Sequence, residues 1–222
     1  MKFKFIGELK NISALNTPAL KLKQLKRSDV KIAIIDDEPF EKLELLKQHE
    51  FNVVKFDDVD VIDTLQVYDI ILCDIKGVGK KFNSTYQGAY LMKEIYKKYP
   101  FKTIIAYTGI RYDARFNEYL KVADFSVKKD VSSEEWVEKL DKAVELINNP
   151  QYKWERIKRY LLEKEVPLFD LALLEDEFVD RILNNKSFHD FPTNRVKKRL
   201  DGDVRAILQS LTANLIFYIA TA

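Results

Sequence analysis

Two aspartates, Asp36 and Asp37, follow directly on the apolar run Lys31-Ile32-Ala33-Ile34-Ile35, and a third, Asp74, ends the run Asp69-Ile70-Ile71-Leu72-Cys73. Carboxylates are hard oxygen donors. Three that converge at the ends of neighbouring buried strands outline a site for a divalent cation and for phosphoryl chemistry. Two further runs carry other polar groups at comparable points: Lys102-Thr103-Ile104-Ile105-Ala106-Tyr107 leads into Thr108-Gly109, and Phe125-Ser126-Val127-Lys128 runs into Lys129-Asp130. A hydroxyl and an ammonium can therefore join the carboxylates if these runs lie side by side.

The segments between the runs say how they are arranged. Phe40, Leu43 and Leu46 stand near helical spacing, and Phe51-Asn52-Val53-Val54-Lys55-Phe56 reads as a second strand. A helix is expected from about Ala89 to Tyr99, carrying Leu91, Met92 and Ile95 and stopped by Pro100. After Lys129, Ser132-Ser133-Glu134-Glu135 offers a capped helix start, and Trp136, Leu140, Ala143, Val144 and Ile147 supply its apolar face. Strands separated by helices pair in parallel, so the expected fold over residues 30–148 is α/β, a doubly wound five-stranded parallel sheet. In such sheets ligands sit beyond the carboxyl ends of the strands.

Asn148-Asn149-Pro150 stops the last of these helices, and the chain beyond it contains no comparable strand candidate. Residues 151–222 read as a small all-helical segment. Its apolar faces are Trp154, Ile157 and Leu161; Leu171, Leu174, Phe178 and Ile182; and Val204, Ile207, Leu208, Leu211, Leu215 and Ile219. Residues 1–29 form an N-terminal extension in which Lys2-Phe3-Lys4-Phe5-Ile6 alternates like an edge strand.

Composition narrows the functional classes. The 222 residues are 46% hydrophobic and 32% charged, a globular balance, and 37 Lys plus Arg against 35 Asp plus Glu leave a net charge of +2. No global field singles out nucleic acid or an anionic membrane as partner. The lone cysteine, Cys73, lies inside an apolar strand and reads as an inert core residue. With no apolar N-terminal leader and no run near the roughly 20 residues of a spanning helix, a cytoplasmic location with no membrane partner is expected. His49 and His189 have no second metal-type ligand at recognisable spacing, and Gly77-Val78-Gly79-Lys80-Lys81 lacks the spacing of a phosphate-binding loop.

Residues 30–148 resemble the receiver domain of two-component response regulators, which has a flavodoxin-like fold. The resemblance rests on Asp36-Asp37, Asp74, Thr108 and Lys129, in that order and each at the end of the corresponding strand. It implies that Asp74 accepts a phosphoryl group from a sensor histidine kinase or phosphotransfer protein. It also implies a Mg2+ cofactor held by Asp37 and Asp74 directly, by Asp36 largely through water, and by the main-chain carbonyl of Lys76. Lys129 would balance charge on the transferred oxygens, and the Thr108 hydroxyl would turn toward the new group. Lys128 is the competing lysine. Strand alternation groups Lys129 with Val127 and Lys128 with Ser126, and the family's pattern selects Lys129.

The sequence departs from the family in two places. Ser126 stands where an aromatic switch residue is usual, with Phe125 one position early, and the loop 75–88 is longer and lacks the usual proline. Lys76, Lys80 and Lys81 within that loop are expected near the site.

The expected function is that of a signalling protein rather than an enzyme: a response regulator whose C-terminal helices bind a protein partner or a second copy. One alternative is transcriptional output through residues 151–222, where Arg195, Lys197, Lys198 and Arg199 cluster. Nucleic acid is not favoured, because Glu175-Asp176-Glu177, Asp180, Asp201 and Asp203 keep the segment near neutral. A further alternative is a metal-dependent aspartyl phosphohydrolase with Asp74 as nucleophile. It ranks last because Lys76 occupies the place of the second acidic residue common in such phosphatases.

Overall fold

Isoleucine and valine dominate the runs that become strands because their branched side chains pack well on a pleated surface buried on both faces. The structure, a computed structural model, describes residues 8–17, 20, 25–109 and 114–210. The strands are β1 (Lys31–Ile35), β2 (Asn52–Phe56), β3 (Ile70–Asp74), β4 (Thr103–Thr108) and β5 (Phe125–Lys128). They form one parallel sheet in the order β2-β1-β3-β4-β5.

That order is the flavodoxin-like one of doubly wound folds. The chain leaves β1 toward one edge and returns at β3 to build toward the other, so β1 and β3 flank the point where the winding reverses. Ligands of such sheets bind at that point, at the carboxyl edge. β3 is buried along its whole length, whereas β5 alternates, with Val127 buried and Ser126 and Lys128 exposed.

Right-handed crossovers assign the connections to opposite faces of the sheet. The helices of this unit are α1 (Leu43–Gln48), α2 (Gln87–Lys98), α3 (Asn117–Leu120) and α4 (Ser133–Ile147). Leu45 and His49 of α1 and its C-terminal cap line a groove with Val137 and Asp141 of α4, while α2 packs with α3. The Ser132 hydroxyl accepts from the Glu135 amide at 3.2 Å and caps α4, as its sequence requires. The connection from β2 to β3 contains a single 3-10 turn, Ile62–Leu65, in place of an α-helix. α1 begins only at Leu43, which leaves Phe40 ahead of it to pack its ring on Tyr107 and Trp136.

The chain divides into two compact units, residues 25–148 and residues 1–24 together with 149–222. In the second, α5 (Pro150–Glu163), α6 (Leu168–Leu183), α7 (Asn194–Lys197) and helical residues 202–210 follow one another. Asn149 caps α5 by accepting from the Tyr152 amide, with Pro150 at the first helical position. Trp154 stacks on Phe178 at 4.9 Å, and Phe188 and Phe191 close over Phe178.

Residues 8–17 belong to this helical unit by specific bonds. The amides of Lys10 and Ile12 donate to Asp176 and Glu175 of α6, each at 2.8 Å. The acidic run in α6 thus holds the N-terminal segment. Val204, Ile207 and Leu208, the described part of the last apolar stripe, are buried. Leu211, Leu215 and Ile219, and the strand expected at residues 2–6, lie outside the described residues. Among the described residues no helix is long and apolar enough to cross a membrane.

Candidate functional site

The register of the sheet brings the site together. Ile35 of β1 pairs with Cys73 of β3, so the next residues, Asp36 and Asp74, come out side by side at the carboxyl edge. One oxygen from each of Asp36, Asp37 and Asp74 lies within 4.8 Å of the others. Asp36 and Asp74 are buried at 1% and 6% exposure, and Asp37 faces solvent. Lys129, the first residue after β5, reaches back across the edge. Its Nζ lies 2.6 Å from Asp74 Oδ2, 3.1 Å from Asp36 Oδ2 and 4.0 Å from Glu38 Oε2.

Electrostatics follow from burial and from this pairing. Burial pushes the Asp74 carboxyl above the ordinary carboxylate range, against the pull of the Lys129 ammonium and the Lys76 amide. For Lys129 burial works downward, yet its bonds to Asp74 and Asp36 outweigh it and the ammonium is held above its usual range. Asp36 and Asp74 share the Lys129 ammonium while Asp37 pairs with the exposed Lys80, which leaves negative charge for a divalent cation to offset. The donor set is all oxygen and hard, the kind magnesium prefers, so the residues present fit that ion.

The loop after β3 is tied down around the carboxylates. The Lys76 amide donates to Asp74 Oδ1 at 3.3 Å, and the Gly77 amide to Gln87 Oε1 at 2.9 Å. Asp58 accepts from the amides of Gly79 at 2.5 Å and Lys80 at 3.0 Å. Glycine is required at two places. A Cβ at Gly77, where φ is +79°, would sit 1.9 Å from Asp37 Oδ1, and one at Gly88 would sit 1.8 Å from the Asp74 carbonyl oxygen. Lys80 pairs with Asp37 at 3.0 Å and Lys81 with Asp60 at 2.5 Å, while Lys76 is exposed and meets the site through its amide.

Asp36, Asp37, Asp74 and Lys129 therefore meet in one pocket. Thr108 lies half-buried at the end of β4, one residue beyond Tyr107, the register partner of Asp74. Lys128 pairs with Thr108 in the ladder and its side chain is exposed. Ser126 is exposed, and Phe125 is half-buried with the Lys142 ammonium 5.8 Å from its ring. Cys73 is fully buried, and burial first and the neighbouring aspartates second raise its thiol well above the usual range.

Sequence reasoning passed over Tyr107 and Asp58. The hydroxyl of Tyr107 donates to Asp36 Oδ2 at 2.9 Å. The signal was present as a single phenol at the end of an otherwise aliphatic strand, and a buried tyrosine hydroxyl needs a partner. Asp58 carried no signal, since its partners are main-chain amides of a distant loop.

Comparison with known proteins adds the following. No family model and no curated protein matches the sequence. The solved structures similar to this chain include receiver domains of response regulators. A CheY-like receiver domain protein from Methanospirillum hungatei is 20% identical, with 52% of this chain and 94% of that one covered at a TM-score of 0.43. The receiver domain of NtrX from Brucella abortus is 18% identical, with 51% and 98% covered and a TM-score of 0.43. A response regulator from Thermotoga maritima is 15% identical, with 52% and 98% covered and a TM-score of 0.44. About half of the chain is matched and the rest is not. The fold assignment itself rests on the strand order and register described above.

Proposed function

We propose that residues 25–148 are a receiver-type signalling module in which Asp74 accepts a phosphoryl group from a histidine kinase or phosphotransfer protein. The observation that carries this reading is the Lys129 ammonium set between Asp74 and Asp36, with Asp37 completing a three-carboxylate cluster. An Asp74 oxygen attacks phosphorus. The new bond is an acyl phosphate, and the bond from phosphorus to the donor breaks with its electron pair leaving on the donor.

Lys129 already touches Asp74 Oδ2 and is the group that pairs with the transferred oxygens. Asp37 and Asp74 directly, Asp36 through water and the Lys76 carbonyl would hold Mg2+, which would supply compensation for the carboxylate and phosphoryl charge. Thr108, at the neighbouring strand end, is the hydroxyl for the phosphorylated state. The added charge of about −1.5 to −2 biases the surrounding loops between two packings.

Acceptance labels the protein, and the acyl phosphate is lost only slowly to water, so the module acts as a switch rather than as a phosphohydrolase. Incubation with acetyl phosphate and magnesium is expected to add the mass of one phosphate, and Asp74→Asn to abolish it. Release of inorganic phosphate from small substrates much faster than the aspartyl label is lost would sink the reading.

The helical unit is read as the output. Leu162, Leu168 and Phe169 stand exposed at the junction of α5 and α6, an apolar surface that suits a protein partner or a second copy better than a phosphate backbone. Gel filtration with and without a beryllofluoride mimic tests self-association. Salt-dependent duplex binding lost on replacing Lys197, Lys198 and Arg199 would move the output to DNA.

A further inference from the structure

Tyr107 is fully buried. Its hydroxyl donates to Asp36 Oδ2 at 2.9 Å, with the Ile35 carbonyl oxygen at 3.4 Å. Its ring meets Phe40 and Trp136 edge-on, with centroids 5.6 and 5.8 Å away, and the Lys129 ammonium lies 5.4 Å from its centroid. Burial first, then the Asp36 charge, raise the phenol far above its ordinary range.

Such a residue is costly where an aliphatic one would fill the strand position. A buried hydroxyl must be satisfied, and here its partner is a carboxylate that is itself 1% exposed. The other Asp36 oxygen, Oδ1, accepts from the Glu38 amide at 3.0 Å. Asp36 is therefore held at both oxygens by donors that do not move with solvent. Lys129 has an alternative acceptor in Glu38 Oε2, 4.0 Å away on a 76% exposed side chain. With Asp36 and the Tyr107 ring in place, the ammonium stays at the carboxylate pair.

We propose that Tyr107 is a positioning residue: its hydroxyl fixes Asp36, its ring backs Lys129, and together they keep the ammonium bridging Asp36 and Asp74. The proposal deepens the phosphoryl-acceptor reading and rests on it for its consequence on rate. Tyr107→Phe keeps the ring and removes only the donor.

The test uses the full chain. Labelling by acetyl phosphate with magnesium is expected to fall about tenfold in Tyr107→Phe, the scale of one hydrogen bond to a charged group. In an Asp36→Asn background the same substitution should change the rate less than twofold, because the two residues act as a unit. Glu38→Ala, which removes the competing acceptor, should restore part of the loss. The 15N resonance of the Lys129 ammonium, followed in chelator without any phosphoryl donor, should lose its protection from exchange in Tyr107→Phe, with far-UV circular dichroism reporting that the fold is intact.

A Tyr107→Phe chain that labels at the wild-type rate with an unchanged ammonium signal overturns the proposal. So does an equal loss in the Asp36→Asn background, which would assign the effect to packing alone. A wild-type chain that takes no label defeats the phosphoryl-acceptor reading instead, and the ammonium resonance then decides the placement of Lys129 by itself.

Discussion

Lys129 brings its ammonium to 2.6 Å from Asp74 Oδ2, although the two residues end different strands with β4 between them. The contact spans a strand because Lys129 leaves the edge of β5 on the same side as buried Val127 and reaches inward. It also neutralises part of a cluster in which Asp36 and Asp74 are nearly inaccessible to water.

Lys129→Met is accordingly expected to destabilise the sheet unit by about 2 kcal/mol. That is below the usual cost of orphaning a fully buried charge, because the lysine side chain is 28% exposed. Urea unfolding followed by Trp136 fluorescence in a Trp154→Phe background checks this, with Lys128→Met as the control that changes little. Labelling of Asp74 should drop in the first variant and not in the second.

Gly77→Ala should disturb the site directly. Its Cβ would collide with the Asp37 carboxylate, and its φ of +79° is strained for alanine. A loss of about 1–3 kcal/mol in stability is expected, with weaker divalent-ion binding by titration calorimetry because Asp37 is pushed aside. Gly202→Ala, where a Cβ meets nothing, is the control.

Lys80 pairs with Asp37 from an exposed position, so it competes with a cation for that carboxylate. Lys80→Ala should tighten Mg2+ or Mn2+ binding by at most about fivefold, since exposed ion pairs are worth up to roughly 1 kcal/mol. Removing the ion with chelator should lower the stability of the wild-type sheet unit by about 2.7 kcal/mol relative to a hundredfold excess over Kd. Asp74→Asn should shrink this difference, because it removes one of the three charges that the ion compensates.

The helical unit should carry its own acid sensitivity. Hydrogen bonds from Lys10 and Lys186 hold the Asp180 carboxyl down at about 2, below the roughly 3.9 of an unfolded chain. A depressed carboxylate contributes stability that is complete above the unfolded value and lost as pH falls through the folded one. Unfolding followed by Trp154 in a Trp136→Phe background should therefore show stability falling between about pH 4 and pH 2. Asp180→Asn should flatten that slope and lower stability at neutral pH.

How much of this could be read from residues alone depends on the range of the interaction. The apolar runs at 31–35, 70–74 and 103–108 carry period and composition within themselves, so strands were legible, and alternation in β5 set Lys128 and Lys129 on opposite faces while the family's pattern selected Lys129. The helix after Ser132 was legible from its cap and its apolar face. The missing α-helix between β2 and β3 was not, since Ile62 and Leu65 have ordinary spacing and only the short path across β1 limits them to a 3-10 turn. Asp58 and Tyr107 were hidden for the same reason, their partners being chosen by the sheet register and the loop path.

The chain's own order of residues determined the alternation of strands and helices and the placing of carboxylates, hydroxyl and lysine at strand ends, because those patterns repeat over two to four residues and need no distant partner. The tertiary structure decided that Asp36 answers to Tyr107 and Lys129, that Asp58 ties down the loop beside Asp37, and that residues 8–17 are held by Glu175 and Asp176 of α6. Each of those is a hydrogen bond or ion pair between remote segments, and its geometry exists only once the sheet register and the helix packing have brought the two ends within about 3 Å of each other.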